Sequence, residues 1–475
     1  MPSGAILAVL IVYGIVLLAI GFWSSRGSGS VAGYYVADKS LRSWVVAFSS
    51  NATGESAWLL LGLTGMGYAV GAQAYWVIVG EMIGIAASWG FISRKLKRLS
   101  DETDSITLPD VLAANFDDRW HLIRGVAVAI IAVMVTTYVS AQMVATGKAF
   151  SGFIGLDYRA GVIIGAVIII GYTFVGGYKA VSYTDVVQGV LMLAGLIAVP
   201  LVAISAAGGL DQMTATLHAY DPAFVDMFAV LDGSTAGFVA ALSFAAIGLP
   251  FLGVPQMLIR YMSARDELEL KKARIVSIAV LFVFLFGAVT AGIAGRALFP
   301  GLEDSEQVFP TLASELFPPL LTGVLFVIVL SAIMSTVDSL LLLASSSIVR
   351  DTMQKMLGSP KSDATLAGYG KVVTVIIGVI AVFVALYMAE NKLIFWFVLF
   401  SWSGLGAAFG PVVLALLYDK RTTGAGIVAG MLGGFLTSVV WVQYFKAGAY
   451  GLYEAIPGFI VAAVATIVVS RITGK

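Results

Sequence analysis

Long apolar runs alternate with short polar connections from one end of the chain to the other. Residues 4–22 are apolar over about the twenty positions that a membrane-crossing helix needs, and comparable runs recur down the sequence. Their spacing predicts helices over 4–22, 44–69, 73–96, 124–152, 157–179, 184–206, 234–260, 272–297, 318–349, 367–388, 393–418, 424–444 and 452–471. The expected fold class is an all-α integral membrane protein of about thirteen transmembrane helices. The longest non-apolar stretches, near 97–123, 207–233 and 298–317, are too short for a soluble domain, so residues 1–475 read as a single membrane domain. No basic residue precedes the first run and no small-residue cleavage site is evident, so it reads as a retained helix.

Two of the runs are interrupted in the same manner. The second carries Ser49-Ser50-Asn51-Ala52-Thr53-Gly54-Glu55-Ser56 in its middle, and the seventh carries Gly248-Leu249-Pro250-Phe251-Leu252-Gly253-Val254-Pro255. Polar residues, glycine and proline at membrane depth are tolerated where backbone lines a cavity or neighbouring helices satisfy it. Broken helices at matching places point to a transporter site between inverted repeats. The five-helix separation gives repeats over 44–206 and 234–418, with 4–22, 424–444 and 452–471 peripheral. Glycine and proline are also common in ordinary membrane helices, and no residue identity links the two halves.

Composition agrees: 59% of residues are hydrophobic, 12% are charged, and the mean hydropathy is +0.95. Placing the N-terminus outside and the C-terminus in the cytoplasm sorts the basic residues. Arg26, Arg94, Lys95, Arg124, Arg260, Arg265, Arg350, Lys420 and Lys475 are among the many that fall inside, whereas Lys148, Arg159, Arg296, Lys392 and Lys446 fall outside. The connection 207–233 has Asp211, Asp221, Asp226 and Asp232 but no Lys or Arg, as a translocated loop should. The net charge of zero, with basic residues accounted for by topology, gives no sign of a nucleic-acid partner. Cysteine is absent, which excludes disulfides and thiolate metal sites, and His121 and His218 fall in connections. No Walker A, HExxH or GxSxG run occurs, so primary pumping and common hydrolytic chemistry lack their machinery.

Ionisable residues at membrane depth are functional candidates because burying an unpaired charge is expensive. Glu55, Asp185 and Asp338 stand out. On a helix, Ala332, Ser335, Thr336 and Ser339 share one face. Their hydroxyl and nearby carbonyl oxygens suit a small hard cation, for which sodium is the natural candidate; the same small residues also suit close helix packing. Asp185 fits a helix N-terminus equally well. Trp58, Tyr138, Trp396 and Trp402 are candidates to floor or gate a solute pocket, or to serve as interfacial anchors. Among other classes, a channel calls for a filter or charge ring, which is not evident; a receptor or an intramembrane enzyme is a further alternative.

The chain resembles the sodium/solute symporter family over roughly 30–460. The resemblance rests on Tyr34-Tyr35-Val36-Ala37-Asp38-Lys39-Ser40-Leu41, Thr107-Leu108-Pro109-Asp110, the run from Gly176-Gly177 to Thr184-Asp185-Val186-Val187-Gln188, Arg260-Tyr261-Met262-Ser263-Ala264, and Ser335-Thr336-Val337-Asp338-Ser339. Within the family it is most similar to the sodium/proline symporters, through the segments beginning at Gly404 and Leu452. The resemblance implies a five-plus-five inverted-repeat core like that of the leucine-transporter superfamily. It also implies sodium-coupled import of a small organic solute, proline or a related amino acid, across the plasma membrane, by a chain expected to act as a monomer in the lipid bilayer. Monocarboxylates and other amino acids are the alternative solutes.

The implied sodium site has backbone carbonyls at Ala52, Glu55 and Ala332 and side-chain oxygens at Ser335 and Thr336. Asp185 matches a carboxylate tied to sodium coupling, and Asp185, Asp338 and Ser339 are candidates for a second sodium. Gly54, Ser56, Ala57, Trp58, Tyr138, Phe251 and Trp402 are the implied solute contacts. The sequence departs from the proline-symporter pattern at Gly54, Glu55, Ile247 and Phe251, where those symporters carry aspartate, methionine, tryptophan and tyrosine. Glu55 is expected to replace the missing aspartate in part, one residue along.

Overall fold

In lipid a backbone must satisfy its own polar groups, so each apolar run closes its hydrogen bonds as a helix. The computed structural model describes residues 4–24, 30–175, 177–387 and 393–474. Arg26, Gly176, Lys392 and Lys475 lie outside the described residues. Among those described the only strand-like feature is an isolated bridge between Leu41 and Ala264.

Among the described residues eleven helical stretches are long and apolar enough to cross a membrane. One of them, Ser43–Glu102, has 60 residues, which at 1.5 Å each would run about 90 Å, three bilayer cores. Gly71, with φ +63°, divides it, so it contains both the second and third spans. With the shorter apolar helix Tyr158–Phe174, the helices correspond to the thirteen expected segments. Two of the boundaries that differ from expectation bear on the site. The sixth span begins at Tyr178 rather than 184, and the ninth runs on to Met356. In both cases polar residues that hydropathy reads as connection, such as Ser182 and Asp351, are buried inside the protein.

The two broken helices pack crosswise. The second is α-helical over Ser43–Ala57, wider-wound over Trp58–Leu63, and α-helical again over Thr64–Val70. Its C-terminal half meets the eighth span, Glu267–Leu298: a Cβ added to Gly292 would lie 2.0 Å from the Thr64 carbonyl oxygen, and one added to Gly67 would lie 2.5 Å from that of Val289. The seventh span is helical over Thr235–Ala245, tightens into a 3₁₀ turn over Ala246–Leu252 and resumes at Pro255–Ser263. It meets the third span in the same way, with Gly80 against Ala245 and Gly84 against Gly248. Each broken helix therefore lies in backbone contact with the span that follows the other. We expect Gly84→Val, whose side chain has no room beside the Gly248 carbonyl, to destabilise the protein by about 1–3 kcal/mol. Thermal unfolding followed by size-exclusion chromatography would read this as a lower melting temperature, and an unchanged one would count against the contact.

Buried ion pairs tie the ends of the bundle. At one end Arg124 holds Asp110 at 2.8 Å and Asp351 at 2.7 Å, and Arg350 holds Asp110 at 3.2 Å. At the other Lys148 holds Asp304 at 2.9 Å and Glu306 at 2.8 Å. Burial pushes the Glu306 carboxyl up from its ordinary range, against the pull of Lys148. Arg124 and Lys148, read from the sequence as loop-side charges, are thus buried partners within the bundle. The charge count placed them near helix ends without revealing their carboxylates.

Candidate functional site

The break in the second span centres on Ser56, whose backbone stands at φ +50°, ψ −167°. A side chain rarely adopts that conformation, and holding one there costs on the order of 1–3 kcal/mol. The surroundings hold it. The Trp58 N–H donates to Ser56 Oγ at 3.1 Å and the Tyr138 hydroxyl donates to it at 3.4 Å. The Ala57 N–H, which in an unbroken helix would reach the Thr53 carbonyl, donates to Gln142 Oε1 at 3.1 Å. Ser56 and Ala57 are therefore occupied in forming the break, whereas Trp58 faces the cavity it opens.

The freed backbone meets the ninth span. Ser335 Oγ donates to the Ala52 carbonyl at 2.9 Å and lies 3.1 Å from that of Ala332, and Thr336 Oγ1 donates to the Thr53 carbonyl at 3.0 Å. These hydroxyl and carbonyl oxygens are the hard donors a small cation takes, here closed on one another by hydrogen bonds. The donor set is all oxygen and fully buried, which fits sodium. Four of the expected residues, Ala52, Ala332, Ser335 and Thr336, are brought together here, with Thr53 added. Glu55 is buried close by, and its Oε2 has no hydrogen-bond partner.

Beside this cluster lies a charge that sequence reasoning did not bring to the site. Arg260, counted from the sequence as a charge at the end of the seventh span, is fully buried in the resumed half of that span. Its Nη2 reaches Asp185 Oδ2 at 3.3 Å, Thr53 Oγ1 at 2.6 Å and Ser339 Oγ, while its Nε reaches Ser49 Oγ at 3.2 Å. Asp185 also accepts from Ser49 Oγ at 2.6 Å. The expected trio Asp185, Asp338 and Ser339 is thus only partly assembled. Asp185 and Ser339 share the guanidinium, while Asp338 takes one long contact of 3.5 Å from Ser339 and its Oδ2 is unpartnered. Arg260 sits so near the inner end of its helix that a charge count and a buried site read alike in sequence.

On the other side of the break Gly54, Trp58, Glu81, Tyr138, Val398, Leu399 and Trp402 line a small cavity. Trp402 stands edge-on to Tyr138 at 6.4 Å and to Phe251 at 5.1 Å, which places Phe251 behind the wall. Trp396 is 40% exposed, with the Lys446 ammonium 4.8 Å over its ring, so it is a surface residue and not a gate. Glu81, which sequence reasoning passed over, lines the cavity. A lone carboxylate in the third apolar run was signal enough.

The model of the sodium:solute symporter family matches residues 34–434. The chain belongs to that family. It is 35% identical to the high-affinity proline transporter PutP of Bacillus subtilis (strain 168), over 96% of each chain. It is likewise 35% identical to the sodium/proline symporter of Staphylococcus aureus (strain USA300 / TCH1516), over 98% of this chain and 92% of that one. Members such as these are transporters, and the chain is a transporter and not an enzyme. Its fold is that of a sodium-coupled sialic acid symporter solved in a substrate-bound outward-open state, with TM-score 0.84, 18% identity and coverage of 100% and 99%. It shares the fold more distantly with Mhp1, a nucleobase-cation-symport-1 family transporter, at TM-score 0.56, 12% identity and coverage of 94% and 96%. Both likenesses bear out the inverted-repeat class expected from the two broken helices.

Proposed function

We propose that the chain is a plasma-membrane symporter that imports proline or a related amino acid, driven by sodium and working by alternating access. The observation that carries this reading is the meeting of Ser335 and Thr336 hydroxyls with the Ala52 and Thr53 carbonyls beside an aromatic-walled cavity. The proline transporters at 35% identity support the solute class. Residues 44–206 and 234–418 act as the two repeats, the remaining three spans are peripheral, and the N-terminus lies outside with the C-terminus in the cytoplasm. The chain acts as a monomer.

Sodium binds among Ala52, Glu55, Ala332, Ser335 and Thr336, and so holds the broken second span against the ninth. Solute binds at Gly54, Trp58, Tyr138 and Trp402, with Ser56, Ala57 and Phe251 supporting them. One sodium per cycle is favoured, because the Arg260 guanidinium already neutralises Asp185 where a second ion would lie. One charge moving down 100 mV supplies about 2.3 kcal/mol, and a tenfold sodium gradient adds about 1.4. Together these support a solute gradient of several hundredfold.

Reconstituted vesicles test the reading. Labelled proline should accumulate uphill with an inward sodium gradient, and unlabelled amino acids should compete better than betaines or monocarboxylates. Equilibration without accumulation would instead indicate a channel.

A further inference from the structure

We propose that Glu81 and Trp58 select the solute's two charged ends, so that the cavity accepts a zwitterion with an amine that carries at least one N–H. The inference rests on the sodium-symporter reading above and names the solute chemistry of that same cavity.

Glu81 is 3% exposed on the third span, lines the cavity, and its Oε2 has no hydrogen-bond partner. Trp58, also 3% exposed, lines the same cavity, and its Nε1 is likewise unpartnered. Buried polar atoms are almost always paired, and an orphan needs an explanation. Here one orphan is an acceptor and the other a donor, and both residues line the same cavity. An ammonium complements the first and a carboxylate the second. The walls between them are Tyr138, Trp402, Val398 and Leu399, which suit a short apolar body. Glu55, buried on the second span next to Gly54, which lines the cavity, adds a second carboxylate nearby. No Lys, Arg or His lines the cavity, so a monocarboxylate would meet carboxylates with no cation of its own to offer.

The test measures the melting temperature of the purified full chain in sodium. Proline is compared with pyrrolidine, which lacks the carboxylate, and with tetrahydrofuran-2-carboxylate, which lacks the amine; the common amino acids are compared with their deaminated counterparts. Zwitterions should stabilise the wild type at concentrations at least tenfold lower than either truncated analogue. Glu81→Gln should erase the advantage over the amine-less analogue, and Trp58→Phe the advantage over pyrrolidine. Glu81→Asp should retain the preference at lower affinity and serves as control if the Gln variant folds poorly. The inference is overturned if Glu81→Gln binds zwitterions as the wild type does while sodium dependence persists, which leaves the symporter reading intact. It is also overturned if no zwitterion stabilises the wild type in sodium, and that result removes the amino-acid reading with it.

Discussion

Ser335→Ala raises the sodium concentration for half-maximal uptake by tenfold or more, and Thr336→Ala does the same. Each substitution removes one hydroxyl from an oxygen cluster that is wholly buried, with Ser335 Oγ 2.9 Å from the Ala52 carbonyl and Thr336 Oγ1 3.0 Å from the Thr53 carbonyl. Sodium loses one of its few buried oxygen ligands, and a contact to a charged group is worth about 1.5–3 kcal/mol, where 1.4 kcal/mol is a factor of ten in affinity. The carbonyls freed at the Ser56 break have no other side chain to turn to. At saturating sodium the solute affinity should be nearly restored, because neither hydroxyl lines the solute cavity. Uptake measured across a sodium series separates the two effects, and equal loss at every sodium concentration would remove both residues from the ion site.

The largest effect on folding is expected at Arg260. Arg260→Gln leaves Asp185 and Asp338 buried at 0% exposure with no cation among their partners, and it strips donors from Ser49, Thr53 and Ser339. Removing one partner of a buried ion pair costs about 3–5 kcal/mol, since the remaining charge has no solvent to turn to. The expected result is a poorly folding protein without transport. Arg260→Gln combined with Asp185→Asn removes both charges of the 3.3 Å pair and should recover much of the lost stability, though not transport. Purified yield and melting temperature check this. A double variant no more stable than Arg260→Gln alone would show that the pair is not the source of the loss.

What the sequence revealed follows from the kind of signal each feature leaves. The broken second and seventh spans were legible because polar residues, glycine and proline at membrane depth have few explanations. Ser335 and Thr336 were legible because helical spacing puts them on one face. Arg260 was not, because a basic residue past a break looks like a helix-end charge until the helix is seen to resume at Pro255–Ser263. Arg124 and Lys148 were missed for the same reason: hydropathy places a charge near a helix end without naming the carboxylates that meet it from distant segments. Glu81 differs. It sits between Gly80 and Met82 in an apolar run, and the rule that singled out Glu55 applied to it equally. The role of Ser56 in holding the break through Trp58 and Tyr138 needed coordinates, since no pattern encodes a backbone angle.

The central claim is that sodium bound between the second and ninth spans drives the solute. Paired fluxes of radioactive sodium and labelled proline, measured in vesicles with the membrane potential clamped, test it most directly. One sodium should enter with each solute molecule, and Ser335→Ala with Thr336→Ala should abolish both fluxes at low sodium together. Uphill proline accumulation that continues with no sodium on either side of the membrane would contradict it.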